Sequence, residues 1–166
     1  TNGLSAFTST ASRVIISVML SLLSIYIGSV CDPDNSCNNA YNNTIYNNNI
    51  TTRNASSYGI RLSNQVSNNT FYNNRISSLG AGIMINGSSD SLAGQTRRNT
   101  FINDTILPCS VACIDNYFDI IITANATDIT FLNVSFNKSR IAFVAHDTVS
   151  ATEKNNITIQ WFLDIN

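Results

Sequence analysis

Asn42-Asn-Thr-Ile-Tyr-Asn-Asn-Asn-Ile50 returns 26 residues later as Asn68-Asn-Thr-Phe-Tyr-Asn-Asn-Arg-Ile76. Two further copies follow at intervals of 30 residues, Thr100-Phe-Ile-Asn-Asp-Thr-Ile106 and Thr130-Phe-Leu-Asn-Val-Ser-Phe136. Aligned on Thr44, Thr70, Thr100 and Thr130, each copy opens with Thr, continues with Ile or Phe, carries Asn fourth and closes on an apolar residue. A repeat of this length cannot bury its own apolar face and must stack on its neighbours.

In each copy the first apolar residue (Ile45, Phe71, Phe101, Phe131) and the Asn two places on (Asn47, Asn73, Asn103, Asn133) share one face of an extended strand. The closing residue (Ile50, Ile76, Ile106, Phe136) stands five places beyond the first, so a straight strand sends it to the opposite face. A bend at Asn-Asn or Asn-Asp returns it inward, because Asn tolerates the left-handed backbone of tight corners. The unit therefore reads strand, Asn corner, strand, then a variable loop and a third strand such as Gly59-Ile-Arg-Leu62, Gly82-Ile-Met-Ile85 or Arg140-Ile-Ala-Phe143.

Three short strands per repeat, stacked in parallel, predict an all-β fold: a right-handed parallel β-helix (solenoid) of about five or six rungs over residues 38–166. Ile45, Phe71, Phe101 and Phe131 then form an apolar column. Asn47, Asn73, Asn103 and Asn133 form an inward Asn ladder whose amides satisfy one another. The last copy, Asn156-Ile-Thr-Ile-Gln-Trp-Phe-Leu163, keeps the Thr and apolar positions but sets Trp161 in the Asn column, which predicts the end of the ladder. The chain begins at Thr1 and stops directly after an apolar run, so it reads as a piece of a longer protein, truncated at its C-terminal end.

Composition agrees with stacking. Asn occurs 25 times in 166 residues, and an Asn pairs well with a copy of itself in the next layer. The registered Ile and Phe positions argue against a disordered polar tract. Charged residues are only 11% with a net charge of −1, and Arg97-Arg98 is the only adjacent basic pair. That excludes a Lys/Arg stripe and with it nucleic acid as a partner.

Residues 1–37 read as one or more N-terminal apolar rungs, or as a membrane or targeting segment, followed by a Cys-bounded loop. The apolar run Val14 to Val30, with Arg13 before it, has the length of a signal-sequence core. Ser17, Ser21, Ser24, Gly28 and Ser29 interrupt it, and Ile25-Tyr-Ile-Gly-Ser29 resembles Ile60-Arg-Leu-Ser63 and Ile83-Met-Ile-Asn-Gly87. An early rung is therefore the favoured expectation. Membrane association through residues 14–30, or through regions of a longer protein outside this piece, is the alternative.

Ten Asn residues stand in Asn-X-Ser/Thr sequons: Asn42, Asn49, Asn54, Asn68, Asn86, Asn103, Asn125, Asn133, Asn137 and Asn156. Asn54, Asn86, Asn125 and Asn137 lie between the repeats and are the glycosylation candidates, whereas an inward column disfavours Asn103 and Asn133. The cysteines fall into two close pairs, Cys31/Cys37 and Cys109/Cys113. Disulfides in an oxidising, extracytoplasmic setting are the first reading, with free buried thiols and zinc as alternatives.

The repeats, with the Tyr58-Gly-Ile-Arg-Leu62 strand, resemble the parallel β-helix (pectin-lyase-like) repeats of archaeal cell-surface proteins and of periplasmic copper-processing proteins. The segment from Asp128 to Asp164 resembles the edge of such a helix leading into an immunoglobulin-like domain. The resemblance implies the fold and an extracellular or cell-surface location. It leaves function open, because lyases, hydrolases, adhesins and surface layers share these repeats.

Catalytic marks are sparse. The ten acidic residues are scattered, and the Asn-Thr-Asp, Gly-His-Gly and Arg-X-Lys signatures of pectinases are absent. Asp115 and Asp119 share a strand face about 13 Å apart, too far for paired glycosidase carboxylates. Asp104 joins them only if adjacent rungs place it there. The loop from Cys31 to Cys37, with Asp32 and Asp34, offers too few ligands for calcium, and His146 is the sole histidine, so no cofactor or metal is expected. Tyr46 and Tyr72 occupy one column, pointing outward if Ile45 and Phe71 point inward, and suit glycan stacking. The expectation is a non-catalytic extracellular or cell-surface scaffold for adhesion or envelope structure, with surface glycans or neighbouring surface proteins as partners. The alternatives are a fragment of a polysaccharide lyase or hydrolase, and a filament or surface-lattice subunit.

Overall fold

The computed structural model describes residues 7–8, 14–19, 22–28, 30–31, 37–38, 40–63, 65–87, 96–107, 109, 117–123, 126–144 and 155–162. These form an all-β structure dominated by parallel pairing, and the described residues contain no α-helix. A 3-10 turn spans Lys138–Arg140.

Three sheets carry the repeats. The first runs, in spatial order, through Phe7–Thr8, Thr44–Tyr46, Thr70–Tyr72, Thr100–Ile102, Ile129–Leu132 and Ile157–Gln160. The second contains Asn49–Thr51, Arg75–Ser77 and Thr105–Ile106. The third runs through Val14–Met19, Leu22–Gly28, Tyr58–Ser63, Ala81–Asn86, Ile120–Thr123 and Ile141–Val144. From Thr44 to Ser63 the chain visits the three sheets in turn, then returns to pair Thr70 in parallel with Thr44. Both six-stranded sheets begin with an antiparallel pair and are parallel thereafter.

Register places like on like. Thr44, Thr70, Thr100, Thr130 and Thr158 align, as do Ile45, Phe71, Phe101, Phe131 and Ile159. The closing residues Ile50, Ile76 and Ile106 align in the second sheet. All of these apolar side chains except Ile159 are buried. The rings of Phe71, Phe101 and Phe131 stack at centroid distances of 4.6 and 4.9 Å, both 11° from parallel. Each such side chain contributes about 1.5–3 kcal/mol by burial, and ring pairing adds about 0.5–1.5 kcal/mol.

The bend is a single left-handed residue. Asn47, Asn73, Asn103 and Asn133 have φ of 56, 55, 51 and 53°. A second corner precedes each Thr, at Asn42, Asn68, Arg98 and Asp128, with φ of 57, 54, 53 and 53°. The strand Thr44–Tyr46 and its counterparts are thus each bracketed by two left-handed residues five positions apart. Asn suits this conformation because its short polar side chain is tolerated there, at a cost that a β-branched residue cannot avoid.

These corners correct one expectation. Asn47, Asn73, Asn103 and Asn133 are exposed and do not form a buried ladder. Counting alternation from Ile45 through the corner treats the backbone as extended, but the positive φ turns the corner side chain outward and the next residue inward. Asn48, Asn74, Asp104 and Val134 are the buried ones.

The third sheet pairs Ile25, Ile60, Ile83, Ile120 and Ile141 in one column, and Ile27, Leu62, Ile85, Ile122 and Phe143 in the next. The strand Ile120–Thr123 lies between two strands anticipated from sequence. Its run of three isoleucines lacks the alternation that marks a half-buried strand. Gly59 and Gly82 sit where a Cβ would run into the side chains of Ile76 and Ile106, and a Cβ on Gly59 would also crowd the Gly82 backbone. Val14–Met19 and Leu22–Gly28 are antiparallel neighbours, so this apolar stretch is strand rather than helix. Among the described residues no helix is long and apolar enough to cross a membrane.

Two outcomes follow for stability. Phe101→Ala, which opens a hole between two stacked rings, should cost about 3–5 kcal/mol, read from denaturant melts. Asn73→Gly should stay within about 0.5 kcal/mol of the parent, whereas Asn73→Val should lose roughly 1–2 kcal/mol or more.

Candidate functional site

Inside the stack, two ladders of side-chain amides run from repeat to repeat. In the first, Asn69 Oδ1 accepts from the backbone N–H of Asn43 at 2.9 Å and from its Nδ2 at 2.8 Å. Asn99 Oδ1 accepts from Asn69 in the same way, at 3.0 and 2.9 Å. In the second, Asn74 Oδ1 accepts from Asn48 N and Nδ2 at 3.1 Å each, and Asp104 Oδ1 accepts from Asn74 N and Nδ2 at 2.7 and 2.9 Å. The Nδ2 groups of Asn48, Asn69, Asn74 and Asn99 also donate to backbone carbonyls, as Asn74 does to Ile45 at 3.0 Å and Asn99 to Val66 at 2.8 Å. Shorter ladders link Thr52 to Ser78 at 2.7 Å, and Ser63 to Asn86 to Thr123 at 3.3 and 2.6 Å. An amide offers a donor and an acceptor, so a stack of identical amides satisfies itself where an isolated buried one would be costly.

Asp104 is the exception. It is fully buried at the end of its ladder, and its Oδ2 has no hydrogen-bond partner. That oxygen stands in place of the Nδ2 that Asn74 and Asn99 use to donate to carbonyls, and an ionised carboxylate has nothing to donate. Burial pushes the Asp104 carboxyl up from 3.8 to about 7, against the lowering effect of the Asn74 backbone and side-chain donors and of the Ile102 backbone. Protonated, its Oδ2 becomes the donor that the position requires.

The second carboxylate is also structural. Asp119 is buried, its Oδ2 accepts from the Asn137 backbone N–H at 2.6 Å, and its Oδ1 is unpartnered. Burial raises its pKa, opposed by the Asn137 N–H, the Arg140 charge and the Tyr117 hydroxyl. Burial first and the Asp119 charge second push Tyr117 up to about 12. Asp119 thereby anchors the turn at Lys138–Arg140. Its sequence partner Asp115 lies outside the described residues, as do His146 and residues 32–36 of the Cys-bounded loop. Among the described residues no three His, Cys, Asp or Glu are grouped to hold a metal.

Tyr46 and Tyr72 stack at 4.7 Å, 3° from parallel, and are half-buried. Each ring spends a face on the other, so the pair presents less aromatic face to a sugar than two isolated tyrosines would. Ile102, Leu132 and Gln160 continue the column beside the outward Thr column. Among the glycosylation candidates, Asn54 and Asn137 are exposed, each accepting locally through Oδ1, from Ser56 N and from Ser139 N and Oγ. Asn86 differs: it is half-buried, with its amide held between Ser63 and Thr123. Asn125 lies outside the described residues. Cys109 is disulfide-bonded, and Cys31 faces Cys37 across the antiparallel pair Val30–Cys31 and Cys37–Asn38.

Trp161 follows Gln160 in the fifth strand of the repeat series, as the pattern required. It is 45% exposed, lies 6.4 Å from the Phe136 ring and carries Lys138 Nζ 3.8 Å above its own ring. The inward ladder residues, Asn48 to Asp104 and Asn43 to Asn99, carry no sequon signal and were missed. Their signal was the residue directly after each corner: the second Asn of the pairs at Asn43, Asn48, Asn69 and Asn74, and Asn99 and Asp104 after Arg98 and Asn103.

No protein-family model, no curated protein and no solved structure matches the chain.

The raised Asp104 pKa sets a pH dependence. The folded state holds this proton more tightly than the unfolded chain, so its stabilisation is complete below about pH 4 and is lost as pH rises through about 7. Between those limits the loss amounts to roughly 2–4 kcal/mol, the free energy by which the folded state favours the protonated carboxyl. Melts between pH 4 and 8 should show it. Asp104→Asn, which supplies the missing donor at every pH, should flatten this component and stabilise the protein at pH 8.

Proposed function

We propose that the chain is a right-handed parallel β-helix of about five or six rungs, of the pectin-lyase-like kind found in archaeal-type cell-surface proteins, and that it serves as a non-catalytic extracellular or cell-surface scaffold for adhesion or envelope structure. The observation that carries this reading is the commitment of the inward polar groups to the stack. Asn43, Asn69, Asn99, Asn48, Asn74, Thr52 and Ser78 all bond to counterparts in neighbouring repeats, and Asp104 and Asp119 are buried behind them. Paired glycosidase carboxylates must face a common groove about 5–10 Å apart, and these two are consumed in bracing loops and ladders.

What remains for partners is the outer face, where the Thr column and the Tyr46, Tyr72, Ile102, Leu132 column run side by side. Such a face suits lateral contact with surface glycans or neighbouring surface proteins. An oxidising location agrees with the cysteines. Opposed residues of an antiparallel pair have Cα atoms about 4.5–5.5 Å apart, within disulfide range, so Cys31–Cys37 is one proposed link; the close sequence spacing of Cys109 and Cys113 makes them the other. The second reading, a filament or lattice subunit, is favoured by the edge strands Ile141–Val144 and Ile157–Gln160. Phe143, Val144, Trp161 and Phe162 are exposed on or beside them.

Incubation of the purified chain with a panel of neutral and acidic polysaccharides should release neither reducing ends nor unsaturated products, while a glycan array or immobilised surface polymer retains the protein. Product release would replace the scaffold with a lyase or hydrolase. Concentration-dependent polymers in light scattering, without glycan retention, would favour the lattice subunit.

A further inference from the structure

We propose that Asn133 carries an N-linked glycan whose first sugar seats in a depression walled by Trp161 and Phe136. This rests on the extracellular reading above. The depression, of about 210 Å³, is lined by Asn133, Val134, Ser135, Phe136 and Trp161. The first three of these are an acceptor tripeptide, Asn-Val-Ser. The volume lies below the range of pockets for larger ligands and suits one sugar ring rather than a chain.

The backbone makes the acceptor available. An inward Asn133 would be a poor site, but its φ of 53° turns the side chain outward, and the residue is exposed. Among the four corner asparagines, Asn47 and Asn73 lack Ser or Thr two places on. Asn103 has the Thr, yet Asn133 packs over it, with Nδ2 donating to Asn103 Oδ1 at 2.8 Å. Over Asn133 the next occupant of the column is Trp161. Saccharide rings present C–H faces edged with hydroxyls, and Trp supplies an apolar face for the former. Ser135, and Lys138 beside the Trp161 ring, supply polar partners for the latter.

Chemically, Asn133 Nδ2 forms a bond to the anomeric carbon of a lipid-linked oligosaccharide. The carbon–oxygen bond to the pyrophosphate leaving group breaks, its electron pair departs with the pyrophosphate, and one amide proton is released. The product amide keeps one N–H as a donor.

The test is secretion of the full chain from a eukaryotic host, glycopeptide mapping before and after enzymatic deglycosylation, and thermal melts of both forms. Asn133 is expected to be occupied. Deglycosylation should lower the melting temperature by about 2–4 °C in the parent, and by much less in Trp161→Ala. Trp161→Phe, which keeps a ring, should retain part of the shift if the alanine variant folds poorly. Ser135→Ala, which removes the acceptor signal without altering Asn133, should abolish occupancy and most of the shift. An unmodified Asn133 beside modified Asn54 or Asn137 overturns the proposal alone. A chain bearing no glycan at any sequon overturns the extracellular reading and this proposal together. An occupied Asn133 whose shift persists undiminished in both Trp161 variants overturns the seating.

Discussion

In-register parallel pairing is the constraint on which everything else depends. Strands about 4.8 Å apart set each side chain directly over its counterpart in the neighbouring repeat, so the Thr, Ile/Phe and inward Asn columns confront like with like. Apolar groups accept this, and the Phe71, Phe101 and Phe131 rings stack. Amides and hydroxyls accept it because each carries both a donor and an acceptor. Carboxylates and ammonium groups repel their copies. A chain built this way is poor in charge, at 11%, and rich in Asn for the same physical reason.

The amide ladders have a direction, and their ends reveal it. Each Oδ1 receives from the repeat before it, so Asn43, at the start, has an Oδ1 with no donor. At the far end of the other ladder, that of Asn48 and Asn74, Asp104 supplies the acceptor but not the donor. Both ladders then stop together, as Ile129 and Val134 replace the amides in the next repeat, and the described residues buried there, Ala126, Ile129, Phe131 and Val134, are apolar. Beyond that point Trp161 breaks the corner column. The same irregularity that ends the stacking of asparagines creates the depression beside Asn133, so the outer surface becomes chemically specific where the repetition fails.

Much of this was legible in the residues. Ile45, Phe71, Phe101 and Phe131 announced a column because identity and spacing recur, and Ile25 was matched to Ile60 and Ile83 in the register that the strands adopt. The corner itself was legible from the five-residue gap to Ile50. Which Asn of the corner pair faces inward was not. Asn47 and Asn48 are chemically the same, and only a backbone rotation distinguishes the exposed from the buried one. Ile120–Thr123 escaped because a continuous apolar run carries no alternation. Nothing in the local sequence of Asn86 shows Ser63 and Thr123 closing on its amide.

By itself, the order of residues determined the period of the chain, the apolar columns and the positions of the corners, since these depend only on residue type and spacing. The tertiary structure alone decided which amides enter the interior, which way their ladders run, why Asp104 lacks a donor, and that Trp161 stands over Asn133. Each of those rests on the sign of φ at a corner and on what a repeat about 30 residues away brings within roughly 3 Å, the reach of a hydrogen bond.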